Sequence, residues 1–199
     1  MRRIDRLLLG TRNAGKIAEI RDLFADLEGL HLLTISEFAF SEVDETGSTF
    51  LENALLKART IGEETGLSVL AEDAGLEVDA LDGAPGVYSA RFSGEPVDYG
   101  RNNRLLLERL QGITDRKARF VAVAALQMPE GEVFVTTGTL AGTIAEALTG
   151  SRGFGYDPLF VPEGEVRTLA EMTLPEKNRI SHRTLAMRRM QAVLRDLLA

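Results

Sequence analysis

Residues 7–20 read LLLGTRNAGKIAEI. Three leucines running into a glycine describe a short buried strand over Arg6 to Gly10. Ile17, Ile20, Leu23, Phe24 and Leu27 then recur at helical spacing, so a helix begins near Ala14. A strand delivered through a glycine turn into a helix is the opening of an α/β fold. It is also the geometry that aims backbone N–H groups and the positive end of a helix at an anion. Gly10 and Gly15-Lys16 have P-loop spacing, but Ile17 stands where a P-loop carries the hydroxyl that holds magnesium. The segment is no Walker motif, which disfavours a kinase. A phosphate cradle built from it needs its metal ligands elsewhere.

The remaining chain keeps alternating strand and helix. Leu30 to Ile35 reads as a strand. Thr49 and Glu52 form a capping box for a helix with Phe50, Ala54, Leu55 and Ala58 on one face, ended by Gly66. Leu67 to Ala71 is a third strand, stopping before Glu72-Asp73. Gly83 to Gly86 is a tight turn and GVYSARFSGEP after it a loop. Asp98 caps a helix to Leu110, closed by Gly112. Arg119–Gln127 and Glu132–Thr137 read as an antiparallel pair across MPEGE. From about Ser181 a last helix turns Ala186, Met190, Val193, Leu194 and Leu197 inward. With no linker, repeat or low-complexity tract, residues 1–199 are one α/β domain with a mixed sheet.

Composition removes several kinds of chemistry. The absence of Cys excludes thiolate catalysis and Cys-ligated zinc, and two histidines, His31 and His182, exclude a His-rich metal site. A run of only three leucines near the start is too short for a signal peptide, and Phe120 to Leu126 is far below the roughly 20 residues of a membrane span. The expectation is a soluble cytoplasmic protein. A net charge of −7 argues against a nucleic-acid binder. The charge is also uneven. Ser41 to Asp82 holds eleven acidic residues against two basic ones, and Thr173 onward holds six basic against two acidic.

Glu72-Asp73 falls at the expected end of an apolar strand, where ligands of α/β sheets bind. The loop SEVDETG adds Glu42, Asp44 and Glu45. Carboxylates are the ligands magnesium takes, commonly one or two from the protein. A carboxylate beside such a metal can also deprotonate water, so no Ser, Cys or His nucleophile is needed. Further on, SRGFGYDPLF sets Phe154 and Tyr156 among glycines, where backbone approaches a flat ligand and a ring stacks on a base. EKNRISHR gathers Lys177, Asn178, His182 and Arg183 around the start of the last helix, donors fit for a base carbonyl or a phosphate.

Taken together, TRNAGK, TFLENALLKA with AEDAGLEVDAL, GAPGVYSARFSG, and GFGYDPLF with EKNRISHR resemble the inosine triphosphate pyrophosphatase family, which removes non-standard purine triphosphates. The likeness runs in order from about Leu8 to Arg183. It implies Mg²⁺-dependent hydrolysis of ITP, dITP and XTP to the monophosphate and pyrophosphate by a homodimer. It also implies an elongated mixed sheet flanked by helices in two lobes, with the site in the cleft between them. By position, Thr11, Arg12, Asn13, Ala14, Gly15 and Lys16 would contact the triphosphate. Asp73 would be proton acceptor and metal ligand, with Asp44 and the adjacent Glu45 as further metal ligands. Phe154, Gly155, Tyr156, Asp157, Lys177, His182 and Arg183 would hold base and sugar.

Two positions depart from the family pattern. Ala74 replaces a frequent Ser, leaving only its backbone N–H for substrate. Arg12 replaces a Gly of the turn and could not take positive φ cheaply. For base choice, a 6-keto acceptor meets donors such as Arg183 or Lys177, which disfavours ATP. Guanine's 2-amino group would be left unpaired where no acceptor faces it, at about 1–3 kcal/mol. The rival readings are a pyrophosphatase for other modified nucleotides and a nucleotide sensor that does not hydrolyse.

Overall fold

The computed structural model describes residues 4–198. Strand β1, Arg6–Leu9, carries Leu7, Leu8 and Leu9 with no exposed surface, each contributing about 1.5–3 kcal/mol by burial. Helix α1, Ala14–Leu23, follows, capped by Asn13, whose side chain accepts the Lys16 N–H at 3.1 Å. Strand β2 is shorter than its apolar run suggests, only His31–Leu33. Helix α2, Phe50–Thr65, is bounded by Thr49 and by Gly66 at φ +68°. The capping box is half formed: Thr49 accepts the Glu52 N–H, but the Glu52 carboxylate takes the N–H and hydroxyl of Ser48.

Strand β3 corrects the sequence reading. It spans Ser68–Val78 and runs straight through Glu72-Asp73. Its parallel pairing with β1 ends at Leu9↔Leu70, so the two carboxylates lie on the stretch that outruns β1. A buried carboxylate is tolerated in a strand only when paired, and both are paired here.

After β3, GVYSAR forms a 3₁₀ helix, Gly86–Arg91, instead of open loop. Asp98 caps helix α3, Tyr99–Arg109, as expected. Strands β4, Lys117–Gln127, and β5, Val133–Ile144, are neighbours, β5 running seven residues past its expected end at Thr137. Strand β6 is Phe160–Pro162. Lys177 and Asn178 belong to a separate short helix, α4, Leu174–Ile180, which a reciprocal Thr173–Glu176 capping box starts. Helix α5 is His182–Leu198.

The sheet order is β2-β1-β3-β4-β5-β6. Its β1 pairs are parallel and β5–β6 is antiparallel, so the sheet is mixed, with helices flanking it. The chain forms two compact units. The first holds residues up to Asp73, Ala122–Gly138 and Arg183 onward; the second holds Ala74–Val121 and Thr139–His182. The first contains a cluster of Leu8, Phe40, Ile61 and Val69. The second is built around Leu76, Leu106, Leu110, Phe120, Phe160 and Leu169. Among the described residues no helix is long and apolar enough to cross a membrane.

Candidate active site

In the first unit, α2 presents one stripe to β3. Ala54, Ala58 and Ile61 on it are apolar, yet Asn53 and Lys57, one turn apart, are buried with them. Both reach Asp73. The Asn53 amide donates to Oδ2 at 3.1 Å and the Lys57 ammonium to Oδ1 at 3.2 Å. Lys57 Nζ also lies 2.5 Å from Glu45 and donates to the Glu72 carbonyl at 2.9 Å. Burial raises the Asp73 carboxyl above its ordinary range, with Glu45 adding to the effect and Lys57, Lys16 and Asn53 opposing it.

Lys16 comes to the same place from α1. Its Nζ is 3.4 Å from the Glu72 carbonyl and 3.9 Å from the Glu72 carboxylate. Burial lowers its pKa below the usual lysine range despite Glu72, with Lys57 and Arg183 contributing. An ammonium held this way gains from an arriving anion. Thr11 accepts the Asn13 N–H at 3.2 Å, and Ala14 and Gly15 form the first turn of α1. Arg12 donates to the Phe40 carbonyl at 2.6 Å and lies over the Phe40 ring. Among the described residues only Asp82 combines a side chain with positive φ, so Arg12 keeps an ordinary backbone and the replaced glycine costs no strain.

Arg183 turns its guanidinium to two carboxylates. It is 2% exposed, with Nε and Nη2 on the two oxygens of Glu72 at 2.6 and 2.9 Å and Nη1 on Glu19. Burial opposes its charge, but Glu72 and Glu19 more than offset this and hold it protonated. Asp44 is exposed on its loop, and Glu42 likewise. Among the described residues no group of three or more His, Cys, Asp or Glu is placed to hold a metal ion. Glu45 and Asp73 instead converge on one ammonium, that of Lys57. Two carboxylates near the start of a helix are oxygen donors of the kind magnesium takes.

The second unit organises the other group. The Asp157 carboxylate accepts the Phe154 N–H at 2.9 Å and the Lys177 ammonium at 2.6 Å, both acid and base being buried. Lys177 Nζ stands 5.0 Å from the centre of the Phe154 ring. Gly153 has φ +73°, and a Cβ there would fall 2.0 Å from Asp157 Oδ2, so only glycine admits this turn. Asn103 donates to the Gly155 carbonyl at 3.0 Å, and the Tyr156 hydroxyl to the Ser89 carbonyl at 2.9 Å. His182 stacks on Phe120, centroids 4.6 Å apart. Ala74 is half-buried and directly follows Asp73.

Lys57 and Asn53 are the residues that sequence reasoning passed over. Their signal was present: two polar side chains at i and i+4 inside an apolar helical stripe.

The fold and this cluster define a mixed-sheet α/β protein that holds buried carboxylates and ammonium groups beside a helix N-terminus. Residues 7–193 match the Ham1 family, and the chain belongs to it. A dITP/XTP pyrophosphatase of Streptomyces coelicolor is 50% identical over 97% of this chain and 98% of its own. One from Thermus thermophilus is 50% identical over 96% of this chain and 92% of its own. Among solved structures, the Ham1 protein of Staphylococcus aureus superposes with a TM-score of 0.86 at 41% identity, covering 96% of this chain and 98% of that one. A HAM1 protein from Coxiella burnetii gives 0.88 at 39%, with the same coverage.

Proposed function

We propose that this protein hydrolyses non-standard purine nucleoside triphosphates, dITP, ITP and XTP, to the monophosphate and pyrophosphate. The observation that carries the reading is the Asp73 carboxylate, buried, each oxygen held by a donor from α2, with Lys16 beside it at the glycine-bounded helix start. Relatives about 50% identical over nearly the whole chain bear the name dITP/XTP pyrophosphatase, which supports the substrate class.

In this reading, water adds across the α–β phosphoanhydride. One P–O bond to water forms, the bridging P–O bond breaks, and pyrophosphate leaves. Asp73 accepts the proton, and a carboxyl raised above its usual range by burial is a better base near neutral pH than an exposed one. Thr11 to Lys16 bind the phosphates through backbone N–H groups and the Lys16 ammonium. Glu45 and Asp73 would hold Mg²⁺, which supplies charge neutralisation at the phosphate oxygens. Phe154 would stack on the base, while Asp157 and Lys177 offer an acceptor and a donor to its edge. A cytoplasmic homodimer is the setting we propose. Light scattering at twice 21.7 kDa would support the dimer, and a single mass would remove it.

Product analysis tests the reaction. With Mg²⁺ and each of dITP, XTP, GTP and ATP, the expected result is pyrophosphate plus monophosphate from dITP and XTP, with ATP and GTP nearly untouched. Orthophosphate plus diphosphate would mean attack at the terminal phosphate. Nucleotide-dependent stabilisation without any product would make the protein a sensor.

A further inference from the structure

We infer that Asn53 is a positioning residue, a single buried amide that ties the aim of Asp73 to the loop carrying Glu45. The inference rests on the proposed reaction and adds to it a residue that touches no substrate.

Asn53 has no exposed surface. Its Nδ2 donates to Asp73 Oδ2 at 3.1 Å, and its Oδ1 accepts the Gly47 N–H at 2.8 Å. One side chain therefore satisfies the carboxylate on β3 and the backbone two residues after Glu45. The approach at Gly47 is close: a Cβ there would fall 2.7 Å from Asn53 Oδ1 and 2.7 Å from Glu52 Cβ. No other residue type lets the loop come down on the amide.

The loop is pinned to the same helix at two further points. Glu52 accepts the N–H and hydroxyl of Ser48 at 2.7 and 2.8 Å, and Glu64 accepts both from Ser41. These anchors hold the loop's ends. Asn53 joins the loop's backbone, at Gly47, to Asp73. Lys57, which bridges Glu45 and Asp73, cannot replace it, because an ammonium donates and cannot accept from Gly47.

A carboxylate's terminal torsion is broad and roughly two-fold, so a group held at one oxygen can swing. Asp73 is held at both, by Asn53 and by Lys57 four residues on, from one rigid helix. A satisfied buried asparagine with a purely structural role would influence stability alone. A positioning role affects turnover separately from folding and binding, because supporting partners of this kind are worth about 10–100-fold.

Two variants separate the halves of the amide. Asn53→Asp keeps an acceptor for Gly47 and loses the donor to Asp73; Asn53→Leu loses both. Each is compared with the parent for dITP turnover, thermal unfolding and hydrogen exchange at the Gly47 amide in nucleotide-free, metal-free protein. The expected result is kcat lowered about 10–100-fold in both variants with KM shifted less than about threefold. Exchange at Gly47 should accelerate about tenfold in Asn53→Leu alone. Parent-like kcat in either folded variant overturns the positioning role. Unchanged Gly47 exchange in Asn53→Leu overturns the tie to the loop. Should Asn53→Leu not fold, Asn53→Asp still decides the first point, and fast Gly47 exchange in Asn53→Asp would overturn the second. A parent that releases no pyrophosphate removes the proposed reaction itself, a result distinct from any of these.

Discussion

Arg183 and Glu72 form a two-point ion pair, Nε to one carboxylate oxygen at 2.6 Å and Nη2 to the other at 2.9 Å, both residues 2% exposed. Glu19 takes the third nitrogen, so two buried carboxylates share one guanidinium. The pair anchors Glu72, whose carbonyl receives the Lys16 and Lys57 ammonium groups and whose chain neighbour is Asp73.

Removing a buried partner leaves an uncompensated charge, at about 3–5 kcal/mol. Arg183→Ala should therefore lower Tm by about 6–20 °C, at roughly 2–4 °C per kcal/mol for a chain of this size. Arg183→Lys should recover little, since an ammonium cannot make the fork. The sequence-based expectation was a loss of base discrimination. The geometry makes loss of fold stability the leading effect, so calorimetry comes before any selectivity assay. An Arg183→Ala protein melting within about 2 °C of the parent would mean the triad does not support the fold.

Asp73→Asn should abolish pyrophosphate release, by at least about 10²–10⁴-fold if Asp73 is the base. It should also stabilise the protein at neutral pH. Because burial holds the folded carboxyl above its ordinary pKa, the folded state binds the proton more tightly than the unfolded one. Stability from this group is then full at low pH and lost as pH rises from the ordinary carboxylate value through the folded one. The variant's gain in Tm should therefore be absent near pH 3 and present at pH 7. A loss of Tm at pH 7 would mean the ionised carboxylate is favoured in place.

Much of the architecture was legible, and the failures share a cause. Caps at Thr49 and Asp98 with glycine ends at Gly66 and Gly112 are local signals that placed α2 and α3. Helical spacing placed the start of α1 at Ala14, although its apolar pattern runs on to Leu27 and the helix stops at Leu23. Strand β3 was cut short because Glu72-Asp73 looks like the polar end of a buried run. What lets the strand continue is Arg183, 111 residues away, and Lys57, which no local pattern reports. The last helix was placed correctly from about Ser181, but helix α4 before it was not read, because its seven residues carry too short an apolar pattern. The site reading shows the same division. The carboxylate and the glycine turn could be named from spacing. Which cations they meet, and that Arg183 turns inward to Glu72, depends on partners far apart in the chain.

Lys16 offers a second test of the phosphate end. Burial depresses its pKa, so its charged form is penalised in the fold. That penalty is present at neutral pH and disappears as pH rises toward the ordinary lysine value, where the unfolded chain also loses the proton. Lys16→Met should thus raise Tm at pH 7 and show no such gain near pH 11. Its loss of a charge-assisted contact to phosphate, about 1.5–3 kcal/mol, should raise KM for dITP roughly tenfold to hundredfold. Unchanged KM would take Lys16 out of the phosphate site.

Gly153 tests the second group without touching the first. A Cβ at this position would fall 2.0 Å from Asp157 Oδ2, and the backbone lies at φ +73°, so Gly153→Ala must move either the turn or the carboxylate. Asp157 is the shared acceptor of the Phe154 N–H and the Lys177 ammonium. Displacing it uncouples the ring from the donor. If Phe154 stacks on the base, that contact is worth about 1–3 kcal/mol, so Gly153→Ala and Phe154→Ala should each raise KM for dITP about tenfold to hundredfold. Both should leave kcat within a few fold, because Asp73, Lys57 and Lys16 belong to the first unit. Only Gly153→Ala should also lower Tm, through strain at the turn. Steady-state kinetics with both variants would decide it: a fall in kcat at unchanged KM would place these residues in the chemical step and not in recognition of the base.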